Sequence, residues 1–146
     1  MKQKLYNSKY EIQPRLMLLT SVEPNRLYTE DQLIAYDFMA VYAKEFLEQG
    51  QNLHGDNGFK FSEFAARKQA VSESIKALVR LGMLKVELQD GFKYSASEEG
   101  IQLYQRMESN YANEYKKQLV MILERYKDSS ETDLHKLIRK KSIKEV

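Results

Sequence analysis

A chain of 146 residues with 42% hydrophobic and 30% charged side chains can bury one modest core, which excludes a disordered polymer. Its net charge of +2 is too small to argue for nucleic-acid binding, and the lack of cysteine removes disulfides and thiolate chemistry. With no apolar run long enough to span a bilayer and no signal-peptide core, the chain is expected to be soluble and cytoplasmic.

Residues 1–10 are polar and lysine-bearing, as expected of a loose or partner-bound end. Residues 11–22 predict a short buried helix that accepts Pro14 in its first turn, where amides lack intrahelical partners. Pro24 and Asn25 end it. Thr29 is the expected N-cap of the next helix, with Glu30 and Asp31 facing its positive end. Ile34, Phe38, Val41 and Tyr42 make its buried face, and Gly50 is the expected stop. Asp37 lies beside that face, where a carboxylate capping or pairing locally is the ordinary reading; a catalytic acid would need a partner that the sequence does not offer. Residues 51–61, with Gly55, Asp56, Asn57 and Gly58, read as a loop, and Ser62 with Glu63 signals the start of the central helix.

Residues 67–96 organise the rest. Val71, Ile75, Leu78 and Val79 fall at i, i+4, i+7 and i+8, one apolar stripe of a helix, and Gly82 sits where a left-handed cap belongs. The period then changes to two. Leu84, Val86 and Leu88 alternate with polar residues, as do Phe92, Tyr94 and Ala96, and Asp90-Gly91 between them predicts a two-residue type I′ turn. Ser95 and Glu98 match a capping box opening a long helix over 98–127. Ile101, Tyr104, Tyr111, Tyr115, Leu119, Ile122 and Tyr126 recur along it at threes and fours. Glu108 and Gln118 interrupt that seam, which favours docking on the chain's own body or on a partner over a self-paired coiled coil. Its tyrosines are amphipathic contacts, in core or interface. After a break at 128–130, Leu134, Leu137 and Ile138 share a face and Arg139, Lys140, Lys141 and Lys144 make a basic end. The expected fold is mainly α with a small β-hairpin. A winged-helix-like domain (1–96) is followed by a long C-terminal packing helix (97–127) and a short amphipathic basic tail (128–146).

Little in this pattern carries chemistry. His54 and His135 lack ligand spacing, and no nucleophile elbow, phosphate loop or zinc-protease motif occurs. Neither enzyme activity nor a metal or cofactor is expected. The outward face of the central helix carries Arg67, Lys68, Gln69, Ser72, Glu73, Lys76 and Arg80. Glu73 dilutes it, so weak phosphate contact through Arg67, Lys68, Lys76 and Arg80 is expected rather than sequence readout.

Several short stretches carry a family resemblance. They are Asn7-Ser8 with Glu11-Ile12 and Arg15-Leu16; Leu33 to Asp37-Phe38; Leu53-His54, Phe59-Lys60, Glu63 and Arg67-Lys68; Leu81-Gly82; Gly91-Phe92 with Tyr94 and Ala96; and Met107, Ser109 and Tyr111. In order and spacing they resemble the middle component of the three-component ABC systems of bacteria, in particular the small subunit of Lamassu-type anti-phage defence. Gly55 stands where that family usually has proline and Lys60 where arginine is common; residues 129–146 lie outside the resemblance. The resemblance implies a non-catalytic adaptor between an ATPase related to structural-maintenance-of-chromosomes proteins and an effector, often a nuclease. Partner contacts are then expected at Tyr104, Tyr111, Tyr115, His54 and Phe59 and at the wing, with DNA met indirectly or by weak phosphate contacts. The alternative is a stand-alone winged-helix transcription regulator dimerising through 98–127.

Overall fold

The computed structural model describes residues 9–54 and 60–144. Residues 1–8, 55–59 and 145–146 lie outside them, and with them Phe59 and most of the loop expected over 51–61. Among the described residues seven α-helices and one antiparallel hairpin follow in the order α1 (Lys9–Val22), α2 (Glu30–Val41), α3 (Lys60–Ala66), α4 (Lys68–Arg80), β1 (Leu84–Leu88), β2 (Phe92–Ala96), α5 (Glu98–Arg106), α6 (Asn110–Arg125) and α7 (Glu131–Lys144). The protein is mainly helical with a small two-stranded sheet. Among the described residues no helix is long and apolar enough to cross a membrane.

Helices α1 and α2 are the centre. From Leu33 to Val41 every residue of α2 is buried, and Ile12 and Leu16 to Leu19 of α1 are buried beside them. A helix that is apolar all round needs neighbours on every side. Around α1 stand α4, α5 and α6; around α2 stand α6, α7 and α4. Thr29 caps α2 as expected: its hydroxyl accepts from the Gln32 amide while the Gln32 side chain accepts from the Thr29 amide.

Several boundaries differ from the sequence expectation. Helix α1 begins at Lys9, so Pro14 sits in its second turn rather than its first. Helix α2 stops at Val41, well before Gly50, and a 3₁₀ turn (Ala43–Glu45) carries the chain round to Asn52, which bridges back to Tyr42. Gly50 serves that reversal: a Cβ there would lie 2.5 Å from the Ala43 backbone. Helices α3 and α4 meet at Arg67, whose amide donates to the Glu63 carbonyl and whose carbonyl accepts from the Val71 amide.

The stripe on α4 is buried at Val71, Ile75 and Leu78, and Gly82 adopts φ +77° as a left-handed helix stop. In the hairpin Leu84 faces Ala96, Val86 faces Tyr94 and Leu88 faces Phe92. That register leaves Gln89, Asp90 and Gly91 in the loop, one residue more than expected, with Asp90 and Gly91 both at positive φ. Tyr28 adds a third short rung, exchanging two backbone hydrogen bonds of 2.9 and 2.8 Å with Tyr94. Because Ser95 and Ala96 belong to the sheet, the N-cap of α5 is Ser97 and not Ser95. The Ser97 hydroxyl accepts from the Gly100 amide and donates to the Met83 carbonyl.

The single helix expected over 98–127 is two helices. Met107 is extended and Ser109 starts α6, its hydroxyl accepting from the Ala112 amide. A straight 30-residue helix would run about 45 Å, too long to follow this small core; the break lets α5 lie on α1 while α6 lies across α1 and α2. The chain turns again at 128–130, as expected. Ser130 and Asp133 then exchange amide-to-side-chain hydrogen bonds and launch α7. Leu134 and Ile138 bury against the body, so α7 is part of the core rather than a free tail.

Candidate functional site

Three charged side chains in the interior find one another. Asp37 on α2 has no solvent exposure, Arg15 on α1 has 1% and Arg67 has 3%. Arg15 donates through Nε to Asp37 Oδ1 at 2.9 Å and through Nη2 to Oδ2 at 3.1 Å, a two-pronged pair. Arg67 Nη2 donates to the same Oδ2, and the Tyr115 hydroxyl on α6 donates to Oδ1 at 2.6 Å. Burial alone would raise the Asp37 pKa; the two guanidiniums and the phenol outweigh it and hold the carboxyl down at about 2. Asp37 therefore pairs across the fold, not locally. The cluster joins α1, α2, α6 and the α3–α4 junction.

A second ring of contacts surrounds it. Arg15 also hydrogen-bonds the Tyr111 hydroxyl, which lies 2.8 Å from His54 Nε2, and the two rings stack with centroids 6.0 Å apart. Burial, then the positive charges of Arg15 and Arg67, push the His54 pKa down to about 3, so the ring is neutral at physiological pH. Tyr42 donates to Glu63, which also lies near Arg67. Gln118 is buried on α6 and tied at both ends of its amide, donating to the Ala40 carbonyl at 2.6 Å and accepting from the Gln51 amide at 2.8 Å. Asp37, Arg15, Arg67 and Tyr115 are closed to solvent, and with the contacts around them they clamp α1, α2, α6 and the α3–α4 junction together.

That arrangement redistributes the expected partner residues. Tyr115 is fully buried on Asp37, so it belongs to the core and offers no outward surface. Tyr111 and His54 are half-buried and face each other. Tyr104 on α5 is half-buried, with Lys116 Nζ 5.2 Å from its ring centre. Tyr126 donates to the Phe46 carbonyl and Tyr36 donates to the Tyr126 carbonyl, so this tyrosine also faces the body of the chain.

The expected phosphate contacts divide in the same way. Arg67 is turned inward and cannot reach a backbone phosphate. Lys68, Lys76 and Arg80 are exposed. Lys68 lines a cleft with His135, Lys136 and Arg139, but Asp31 and Glu131 line it as well. Lys76 and Arg80 border a groove with Val79, Val86, Phe92 and Tyr94. Sequence reasoning missed that groove. The alternation of β1 and β2 reads as a half-buried pair, yet only Leu84 and Ala96 of its apolar face are buried, while Val86, Leu88 and Phe92 are open.

Comparison with known proteins gives one family. The description MC2, ABC-three component (ABC-3C) system Middle Component 2, matches residues 5–146. No curated protein and no solved structure matches. The family match runs through the C-terminal segment that the short motifs left out, in keeping with the burial of α7 in the core. The chain belongs to the Middle Component 2 family of ABC-three component systems and is one component of a multi-subunit assembly.

Proposed function

We propose that this protein is a non-catalytic adaptor in a Lamassu-like anti-phage and anti-plasmid defence complex of the bacterial cytoplasm. It links an ATPase related to structural-maintenance-of-chromosomes proteins to an effector subunit, a nuclease, and helps to hold that effector inactive. The observation that carries this reading is the family match over residues 5–146. The interior supports it. The carboxylate with the most perturbed surroundings, Asp37, is closed to solvent and already bound by two arginines and a tyrosine, which suits a rigid spacer better than acid–base work.

The helix α4, the hairpin β1–β2 and the Tyr28 rung follow the order of a winged helix, and we read the domain so. With Arg67 withdrawn, the outward cations of α4 are Lys68, Lys76 and Arg80, interrupted by the exposed Glu73. This favours an adaptor that meets DNA through its partners over a regulator that reads bases. Tyr104, Tyr111 and His54 are the half-buried side chains that a partner would cover. The test is affinity purification of the tagged full chain from its native locus, with mass spectrometry. Recovery of a large coiled-coil ATPase and an effector is expected. Recovery of the chain alone, as a dimer that shifts one DNA sequence, overturns the reading.

A further inference from the structure

The apolar face of the hairpin runs off the protein into solvent. At its base Leu84 and Ala96 are each 2% exposed; one rung out Val86 is 44% exposed opposite the half-buried Tyr94; at the tip Leu88 and Phe92 are 75% and 64% exposed. Three successive cross-strand pairs on one face form a continuous strip, of which the body covers only the first. The other large hydrophobics exposed among the described residues, Leu81 at the end of α4, Leu103 on α5 and Val120 on α6, are scattered singly, as surface apolar residues commonly are. The strip opens onto the groove whose wall is Lys76, Val79 and Arg80 of α4. Both charged residues lining that groove are cations, and both are exposed.

We infer that this strip and groove dock an acidic amphipathic segment of another component of the same system, its apolar side chains on Val86, Leu88 and Phe92 and its carboxylates on Lys76 and Arg80. The inference rests on the assembly reading above and adds the surface and the chemistry of its partner. A duplex would leave the apolar strip against phosphates. A second copy is disfavoured by symmetry. In a two-fold contact the patch meets itself, and the groove brings Lys76 and Arg80 of both copies to the seam with no carboxylate in its lining to pair them. An acidic segment answers both features: apolar anchors fill the exposed strip, and the rim charges fix its orientation and exclude basic competitors.

The test places a photo-crosslinking amino acid at Leu88 in the full chain, expressed from its native locus with its neighbouring genes, and maps the crosslinked peptide by mass spectrometry. Expected is a crosslink to one segment of another component that carries apolar residues interleaved with Asp or Glu. The double variant Lys76→Glu/Arg80→Glu should lower its yield at least tenfold without moving the melting temperature, since both side chains are exposed. Lysines in place of the mapped acids should restore the yield. A crosslink to a second copy of the chain, to DNA, or to a basic segment overturns the inference. So does an absent crosslink while the other components still co-purify, a result that leaves the adaptor reading standing. Failure of the unmodified tagged chain to co-purify any component overturns both.

Discussion

Two guanidiniums and a phenol converge on one fully buried carboxylate, Asp37, and this fixes what its removal should do. Asp37→Asn keeps the shape and removes the charge, leaving Arg15 and Arg67 facing each other in the interior. Breaking a buried ion pair in this way costs about 3–5 kcal/mol, and chemical denaturation should register a loss of that size. Tyr115→Phe deletes only the 2.6 Å hydrogen bond to the carboxylate and should cost less, about 1.5–3 kcal/mol. The same groups set the response to acid. His54 has its pKa lowered from 6.5 to about 3, so below about pH 6.5 the unfolded chain takes up a proton that the folded chain refuses. Stability should therefore fall from pH 6.5 towards 3. Asp37, lowered from 3.8 to about 2, contributes stability present above about pH 4 and lost as pH falls through 2. Melting curves across this range should show a gradual decline followed by a steeper one. His54→Gln should flatten the first part and leave the second. An unchanged slope between pH 6 and 4 would mean that His54 is protonated in the folded state.

What each element needs from its own residues was legible in the sequence; what it needs from distant ones was not. The α4 stripe, the Gly82 stop and the Thr29 cap depend on neighbours within a turn or two, and all three stand as read. The break at Met107, the N-cap at Ser97 and the early end of α2 depend on what lies alongside. Ser95 and Glu98 have capping-box spacing, but pairing of Ala96 with Leu84 keeps the strand going two residues further. Asp37 carried a usable signal, since a charge inside an apolar helical run needs a partner; Arg67, beside Lys68 and Gln69, reads as an outward cation and gave none. The sequence does not say which of the charges spread over residues 15–67 would supply it. The hairpin misled differently: alternation marks an apolar face without saying how much of it the body reaches. A substitution at Gly82 separates local from distant causes. Its φ is +77° and no atom lies within 4 Å of a built Cβ, so Gly82→Ala meets only backbone strain. The expected loss is about 1–2 kcal/mol, with the helix and hairpin intact by circular dichroism. A loss well above that would show a steric role for the glycine.

At the scale of the whole molecule, the question is whether 128–146 is an appendage or a wall of the core. Its sequence looks like a detachable basic tail, with Arg139, Lys140 and Lys141 near the end. Its packing says otherwise. Leu134 has no exposure and Ile138 has 3%, both within the single hydrophobic cluster that α2 centres. The His135 ring meets Phe64 edge-on at 5.5 Å, and the Thr29 hydroxyl, already the cap of α2, also donates to Glu131. Helix α7 thus covers one side of α2 while α6 and α1 cover others. If it were removed at residue 127, the buried run of α2 would face water along that side. The truncated chain should lose cooperative melting and bind a hydrophobic dye, and Leu134→Ala in the full chain should cost about 2–5 kcal/mol. Arg139→Glu with Lys140→Glu, both exposed on the same helix, should leave the melting temperature within a degree or two. The contrast between the two variants decides the matter. A tail would lose charge-dependent contacts in the second and nothing in the first, whereas a wall of the core loses stability in the first and keeps it in the second.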